Sequence, residues 1–337
     1  MLIEINADYD LDNLHTRLHA VRLYTIDVHI SNGYEGGMFL SMDPDQKWVK
    51  EQITLIDAIH KQCDKADFPP ARIHLHWGNL NAEKIYEDWC FWNNPVERFG
   101  SVGCFNMLLP SVRSDAVNTT DVTPTKLFTY FNSAQRKHRE DGLNYIYENG
   151  LLDKCEWTWF NDWHYNLNEH FHTLIPKSAE GFEWEGKPVA DTSAYAPGEQ
   201  LLDMQRNTCF DLIAETFYYH DVEYYTDFEY WHTVYVTEKT WRALLSKRPF
   251  MILGNKNTLK ELHALGFKTF PMLFDEKYDT LNDDKRLGHV LAQLNNFTIE
   301  DFNTKVNSDE VQDILNHNYN ICLKLSQKMV DIRNKML

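Results

Sequence analysis

Val236-Thr237-Glu238-Lys239-Thr240-Trp241-Arg242-Ala243-Leu244-Leu245, followed by Arg248-Pro249-Phe250-Met251-Ile252-Leu253-Gly254, is the stretch that decides the fold. The short run Val234-Tyr235-Val236 leads into it as a strand. Thr237 has the chemistry of a helix N-cap, because its hydroxyl can accept one of the amide protons that a first turn leaves without a partner. Trp241, Leu244 and Leu245 then share a face turned to the sheet, and Glu238, Lys239 and Arg242 share the more polar side. Phe250 to Leu253 reads as a strand, Gly254-Asn255 as a turn, and 258–265 as a helix closed by Gly266. Strand-helix repetition at this spacing predicts a parallel sheet covered on both faces.

Moving upstream, Phe210 to Ala214 reads as another strand, ending at Glu215, and Leu127 to Phe131 as the clearest strand of the first half. A polar loop, Asn132 to Arg136, and a helix from about His138 to Asn149 follow, with Leu143, Ile146 and Tyr147 on one stripe. Residues 153–200 are rich in Trp and irregular, 217–232 are aromatic and acidic, and Phe267 to Phe274 reads as extended. Residues 1–120 carry α/β signals. These are strands at Leu2 to Ile5, Tyr24 to Ile30 and Arg72 to Trp77, and helices at Val49 to Lys61 and 82–92. Alternation sets Ile73, Leu75 and Trp77 against His74 and His76, and 93–120 reads as loop. Downstream, Val311, Leu315, Cys322, Leu325, Met329, Ile332 and Met336 form one apolar stripe on a helix of about 25 residues. Such a terminal helix must lie on something to be stable.

The chain has 337 residues, which fits two domains of roughly 150 residues. Lys and Arg number 33 against 50 Asp and Glu, for a formal net charge of −17. That balance repels a duplex and disfavours nucleic acid as a partner, though not a single phosphorylated small molecule. No stretch approaches the roughly 20 apolar residues needed to span a bilayer. Cysteines 63, 90, 104, 155, 209 and 322 include no CxxC pair. The start, Met1 to Ile5, is too acidic and its apolar run too short for a secretory signal. A reducing, cytoplasmic setting is therefore expected.

The chemistry concentrates at strand ends. A cation on the first turn of a helix is electrostatically awkward, since the dipole there favours negative charge. A phosphate at that terminus removes the difficulty, because the amides and Lys239 converge on one anion. Open parallel sheets bind ligands beyond the carboxyl ends of their strands, and a carboxylate such as Glu238 can take both hydroxyls of a ribose. The alternative is a solvated polar turn. Arg136 and Arg139, on one loop and helix start, are costly neighbours unless an anion lies between them, and Arg forks suit phosphate oxygens. Glu215 either faces the same crevice or is a plain strand-end carboxylate, and Gly254-Asn255 lets backbone approach a ligand.

The Thr237-Glu238-Lys239 segment with its flanks resembles the donor-binding segment of the α-1,3-fucosyltransferases and their viral and bacterial relatives. Leu262 to Phe270, Phe274 to Asp279, Phe128 to Asn132 with Arg136, His138 and Arg139, and Tyr147 to Asp153 are similar to an often phage-borne branch of that group. The resemblance spans about residues 125–290. It implies a GT-B-like α/β architecture, two Rossmann-like domains facing across a cleft. Residues 1–120 would form the acceptor side, 121–300 the donor side, and 301–337 a helix crossing back to the first domain. It further implies an inverting glycosyltransferase moving sugar from a nucleotide-diphosphate donor, with a lean towards guanine, to a hydroxyl of a glycan or small molecule. Glu238 would then bind the ribose, Lys239 a phosphate, and Arg136 or Arg139 the pyrophosphate. Glu215, Arg242 and Asn255 complete the donor-site candidates. No metal is obligatory in that family, although divalent ions stimulate some members. The catalytic base does not align; Glu35, Glu83 and His76 are its candidates.

Three alternatives stand beside this reading. A metal-dependent hydrolase would draw on His74 and His76, on His15 and His19, or on His164, His170 and His172 with Asp162 and Glu169, but none has a zinc template. A carbohydrate-binding protein without transfer activity would use the aromatic stretches alone. A phage-type transferase acting on modified DNA bases would need a locally basic cleft within this acidic chain.

Overall fold

The computed structural model describes residues 2–6, 14–20, 25–31, 38–39, 47–77, 81–104, 123–132, 136–159, 171, 183–184, 187–188, 199–218 and 234–336. The chain is a mixed α/β protein built on parallel sheets, and it divides into two compact units. The first takes the described residues of Met1–Pro110, Val222–Tyr235 and Leu325–Leu337, and the second those of Ser111–Asp221 and Val236–Lys324.

In the first unit, β1 (Leu2–Asn6), α1 (Leu14–Ala20), β2 (Ile26–Ser31), α2 (Lys47–Ala66), β3 (Ile73–Trp77), α3 (Ala82–Asn93) and β4 (Ser101–Cys104) alternate along the chain. The four strands lie in sequence order, all parallel, with Ile26 beside Ile73 and His74 beside Ser101. Right-handed crossovers that step the same way each time place the three helices on one face. There α1 packs on α2 and α2 on α3, burying Leu18, Ile56, Ile59 and Cys63 with Val28, Ile73 and Leu75. β4 corrects the expectation of loop over 93–120. Four residues with a glycine among them show no alternation, and their strand character comes from pairing with β3.

The second unit holds β5 (Lys126–Asn132), α4 (Lys137–Glu148), β6 (Cys155–Trp159), α5 (Glu199–Arg206), β7 (Thr208–Ala214), α6 (Glu238–Leu245), β8 (Phe250–Leu253), α7 (Thr258–Ala264), α8 (Asp283–Gln293), α9 (Ile299–Val306) and most of α10 (Asp309–Met336). Its sheet is parallel throughout, in the order β8-β7-β5-β6. β7 and β8 are buried along their whole length, as continuous apolar strands require when both faces are covered.

The two faces of this sheet differ in chemistry. On one, Phe128, Phe210, Phe274 and Phe302 form a ring cluster under α9, with Phe210 and Phe302 stacked at 4.9 Å. On the other, under α5 and α6, a polar layer is closed upon itself. Asp211 accepts from Thr129 Oγ1 at 2.9 Å, Gln205 Nε2 at 2.6 Å and Arg248 Nε at 3.1 Å.

Two expectations are adjusted. Phe267 to Phe270 is irregular and pairs with no strand, and the chain then turns at Pro271 to Leu273, closed by the Phe274 amide on the Phe270 carbonyl at 2.9 Å. α10 runs 28 residues, and its stripe buries Val311, Leu315 and Cys322. Asn318 completes that stripe as a polar member, bonding both the amide and the carbonyl of Lys268.

Candidate functional site

The chain runs from β5 outward to β6, then returns to the other side of β5 to lay down β7 and β8. The strand order reverses between β5 and β7, and in open parallel sheets the crevice beyond the carboxyl ends at such a reversal is where ligands bind. Asn132 and Ala214 end these two strands, α4 starts five residues after the first, and Glu215 directly follows the second.

Glu215 is fully buried and organises the crevice. Its carboxylate accepts from the Thr237 amide at 3.1 Å, the Thr237 hydroxyl at 2.5 Å and the Thr240 hydroxyl at 2.5 Å. These donors open α6, so the carboxylate anchors a helix start. The main-chain carbonyl of Glu215 accepts from His138 Nε2 at 2.9 Å and from Arg139 NH2 at 3.1 Å, which fastens the start of α4. Thr240 was not singled out by sequence reasoning. Its signal was the second threonine one turn after the N-cap, on the same side of the helix.

The start of α4 brings Arg136, His138 and Arg139 together. Arg136 is the half-buried N-cap, while His138 and Arg139 are buried. The helix approaches β5 so closely that a Cβ at Gly142 would collide with the Tyr130 hydroxyl, which donates to the Arg139 carbonyl at 3.0 Å. His138 stacks on Tyr218 at 4.9 Å, and Arg286 lies 4.4 Å from that second ring. Burial, then the Arg139 charge, hold the His138 imidazole well below its ordinary pKa, so the ring is neutral at pH 7. Because a carbonyl can only accept, Nε2 carries the proton. Burial and the neighbouring Arg136 bring Arg139 down to about 10, which leaves it charged at neutral pH.

α6 supplies the remaining groups. Thr237 caps it as expected, accepting from the Lys239 amide at 3.5 Å. Lys239 Nζ lies 3.1 Å from Glu238 Oε1 and 3.3 Å from the Thr237 hydroxyl, and both charged side chains of that pair are nearly buried. The expected polar side of α6 is therefore not a solvated one: Glu238, Thr240 and Arg242 are buried along with Trp241, Leu244 and Leu245. Burial alone would raise the Glu238 carboxyl, but Lys239 and Arg242 outweigh it and the net displacement is downward. Burial lowers Arg242, against the opposing pull of Asp211 and Glu238.

These groups share one electrostatic neighbourhood. Arg136 and Lys239 both act on His138, Glu238 acts on Arg139, and Glu215 acts on both Arg139 and Arg242. Lys239 thus stands on the same side of the unit as the two arginines. Five cations, Arg136, Arg139, Lys239, Arg242 and Arg248, act among three carboxylates, Asp211, Glu215 and Glu238, and the surplus is positive in an otherwise acidic chain. Such a site suits a small anion.

The other predicted residues lie elsewhere or play structural parts. Asn255 is buried, and its carbonyl accepts from the Thr258 hydroxyl at 2.6 Å. The close approach at Gly254 is to Ile252, Thr258 and Glu215. Among the candidate bases, Glu83 is exposed on α3, 3.7 Å from Lys328, and His76 is buried on β3. Glu35 lies outside the described residues, as do His164, His170 and His172. His74 bonds Ser101 Oγ at 2.7 Å and His15 bonds Thr16 Oγ1 at 3.3 Å. No cluster of metal ligands occurs among the described residues, and no described helix is long and apolar enough to cross a membrane.

The first unit has a depression of about 510 Å³ lined by His60, Asp64, Asp67, Trp89, Pro95 and Glu97, among others. Its described lining carries three carboxylates and no lysine or arginine, a poor match for a phosphate. No protein-family model, curated protein or solved structure matches the chain.

Proposed function

We propose that the protein is an inverting glycosyltransferase that takes its sugar from a nucleotide-diphosphate donor. The observation that carries this reading is the gathering of Arg136, Arg139 and Lys239 round the His138–Glu215 contact, beyond the carboxyl ends of β5 and β7. Two units, each on a four-stranded parallel sheet, support a GT-B-like pairing of Rossmann-like domains as its architecture. Glu238, ionised at neutral pH, suits the ribose hydroxyls once Lys239 turns to a phosphate. In the transfer step the acceptor oxygen bonds to the anomeric carbon from the face opposite the leaving group. The bond from that carbon to the diphosphate oxygen breaks with its electron pair on oxygen, and the acceptor proton passes to a base. The cations serve the step by stabilising the charge that grows on the diphosphate.

A thermal-shift panel of GDP-, UDP-, ADP- and CMP-linked sugars tests the reading. One nucleotide class should raise Tm selectively and saturably, and Lys239→Ala should weaken that binding about 10- to 100-fold, the loss of about 1.4–2.8 kcal/mol expected for a charge-assisted contact. A flat response across the panel refutes it.

A further inference from the structure

Among the described residues of the second unit, four arginines are at least nine-tenths buried: Arg139, Arg242, Arg248 and Arg286. Three are tied down. Arg139 donates to the Glu215 carbonyl. Arg248 donates to Asp211 at 3.1 Å, to the Thr208 carbonyl at 2.9 Å and to the Thr208 hydroxyl at 2.7 Å. Arg286 donates to the carbonyls of Leu281 and Tyr218 and to the Asp283 carboxylate. Arg242 differs. Among the described residues its side chain makes no hydrogen bond and no ion pair; its Nε, like those of Arg139 and Arg286, is wholly buried without a partner, and its Cζ lies 5.6 Å from the centre of the Phe131 ring. The carboxylates that act on it are all engaged by other donors: Asp211 by Thr129, Gln205 and Arg248, Glu215 by Thr237 and Thr240, and Glu238 by Lys239.

A guanidinium presents five N–H donors, and burying one without acceptors opposes folding. Phe131 is the penultimate residue of β5, so the group stands near the carboxyl end of that strand, in the crevice already described. Its planar fork matches two oxygens of a phosphate. We infer that Arg242 is a direct binding contact for a phosphate or diphosphate group, without a hydrogen-bond partner among the described residues and supplied with acceptors by the ligand. The inference rests on the phosphate-binding half of the proposed function and not on the sugar.

Arg242→Met and Arg242→Lys test it, with inorganic pyrophosphate as the probe at constant ionic strength. Free Arg242→Met should unfold within a few degrees of the wild-type protein, since relief of a buried guanidinium without hydrogen bonds offsets the loss of its attraction to Asp211, Glu215 and Glu238. Its pyrophosphate affinity, from the Tm rise with concentration and from calorimetry, should fall at least tenfold. Arg242→Lys, which keeps the charge and loses the fork, should bind with intermediate affinity. Three results overturn the inference: pyrophosphate binding equal in Arg242→Met and wild type, a free Arg242→Met several degrees less stable, or no saturable binding to the wild type. Arg242-dependent pyrophosphate binding with no preference among nucleotide sugars leaves this inference standing and sinks the transferase reading. A nucleotide-sugar preference untouched by Arg242→Met does the reverse.

Discussion

Replacing Glu215 by Gln separates a helix anchor from a ligand contact. The carboxylate receives three hydrogen bonds, from the Thr237 amide and from the hydroxyls of Thr237 and Thr240, at 2.5–3.1 Å in a site with no solvent exposure. Bonds to a charged acceptor are each worth about 1.5–3 kcal/mol and neutral ones about 0.5–1.5. Weakening all three therefore removes about 3 kcal/mol. Gln also sets an N–H₂ group where one oxygen now accepts, and the Thr237 hydroxyl it would face already accepts from the Lys239 amide. Loss of the negative charge beside Arg139 and Arg242 adds to the penalty, while relief of carboxylate desolvation offsets part of it. A net destabilisation of about 2–4 kcal/mol follows, which at a urea slope of about 3 kcal/mol/M lowers the unfolding midpoint by about 1 M. Urea titration followed by Trp fluorescence measures it. Nucleotide or pyrophosphate affinity, taken where the variant is folded, should change less than about threefold, since the carboxylate faces α6. A midpoint within about 0.2 M of wild type together with a tenfold loss of binding would refute the reasoning and return Glu215 to the ligand.

His138 yields a pH signature. Its folded pKa lies below the unfolded value near 6.5, so on the acid side the unfolded chain takes up the additional proton. This residue's contribution is full above about pH 6.5 and declines as pH falls towards the folded pKa, by up to about 1.4 kcal/mol per unit. His138→Gln, which keeps a donor for the Glu215 carbonyl, should flatten that slope in urea midpoints compared at pH 5.5 and 7.5; an unchanged slope rejects the assignment. Gly142→Ala should cost about 1–2 kcal/mol despite the better helix propensity of Ala, because its Cβ meets the Tyr130 hydroxyl. Adding Tyr130→Phe should restore part of the lost Tm, and a double variant no more stable than Gly142→Ala argues against the collision.

Much of the second unit's sheet was legible because its strands are continuous apolar runs bounded by turn residues. Phe250 to Leu253 before Gly254, and Phe210 to Ala214 before Glu215, need no distant partner to be recognised. The Thr237 cap was legible for the same reason, as one hydroxyl serves an amide two residues on. What escaped depends on partners far along the chain. Asp211 sits in an apolar strand because Thr129 and Arg248, 82 and 37 residues away, complete its shell. α6 reads as having a wet face, yet Glu215, 22 and 25 residues before the two threonines it engages, lets that face go under. β4 is too short to show a period, and only its neighbour makes it a strand. Of the candidate site, Arg136, Arg139, Glu238 and Lys239 were found from charge at strand ends. The isolation of Arg242 was not visible, because it is defined by which carboxylates its neighbours occupy.

Glu215 grips α4 through its main chain and α6 through its side chain, so one residue clamps two helix openings that are 101 positions apart in first residue. Neither helix can drift without dragging the other. The two helix starts are thereby set relative to each other in the free protein, and under the proposed function an anion would call only for a swivel of the Lys239 side chain. Capture should then proceed at a rate governed by charge and diffusion, steep in ionic strength, with no slow rearrangement of the two helix starts.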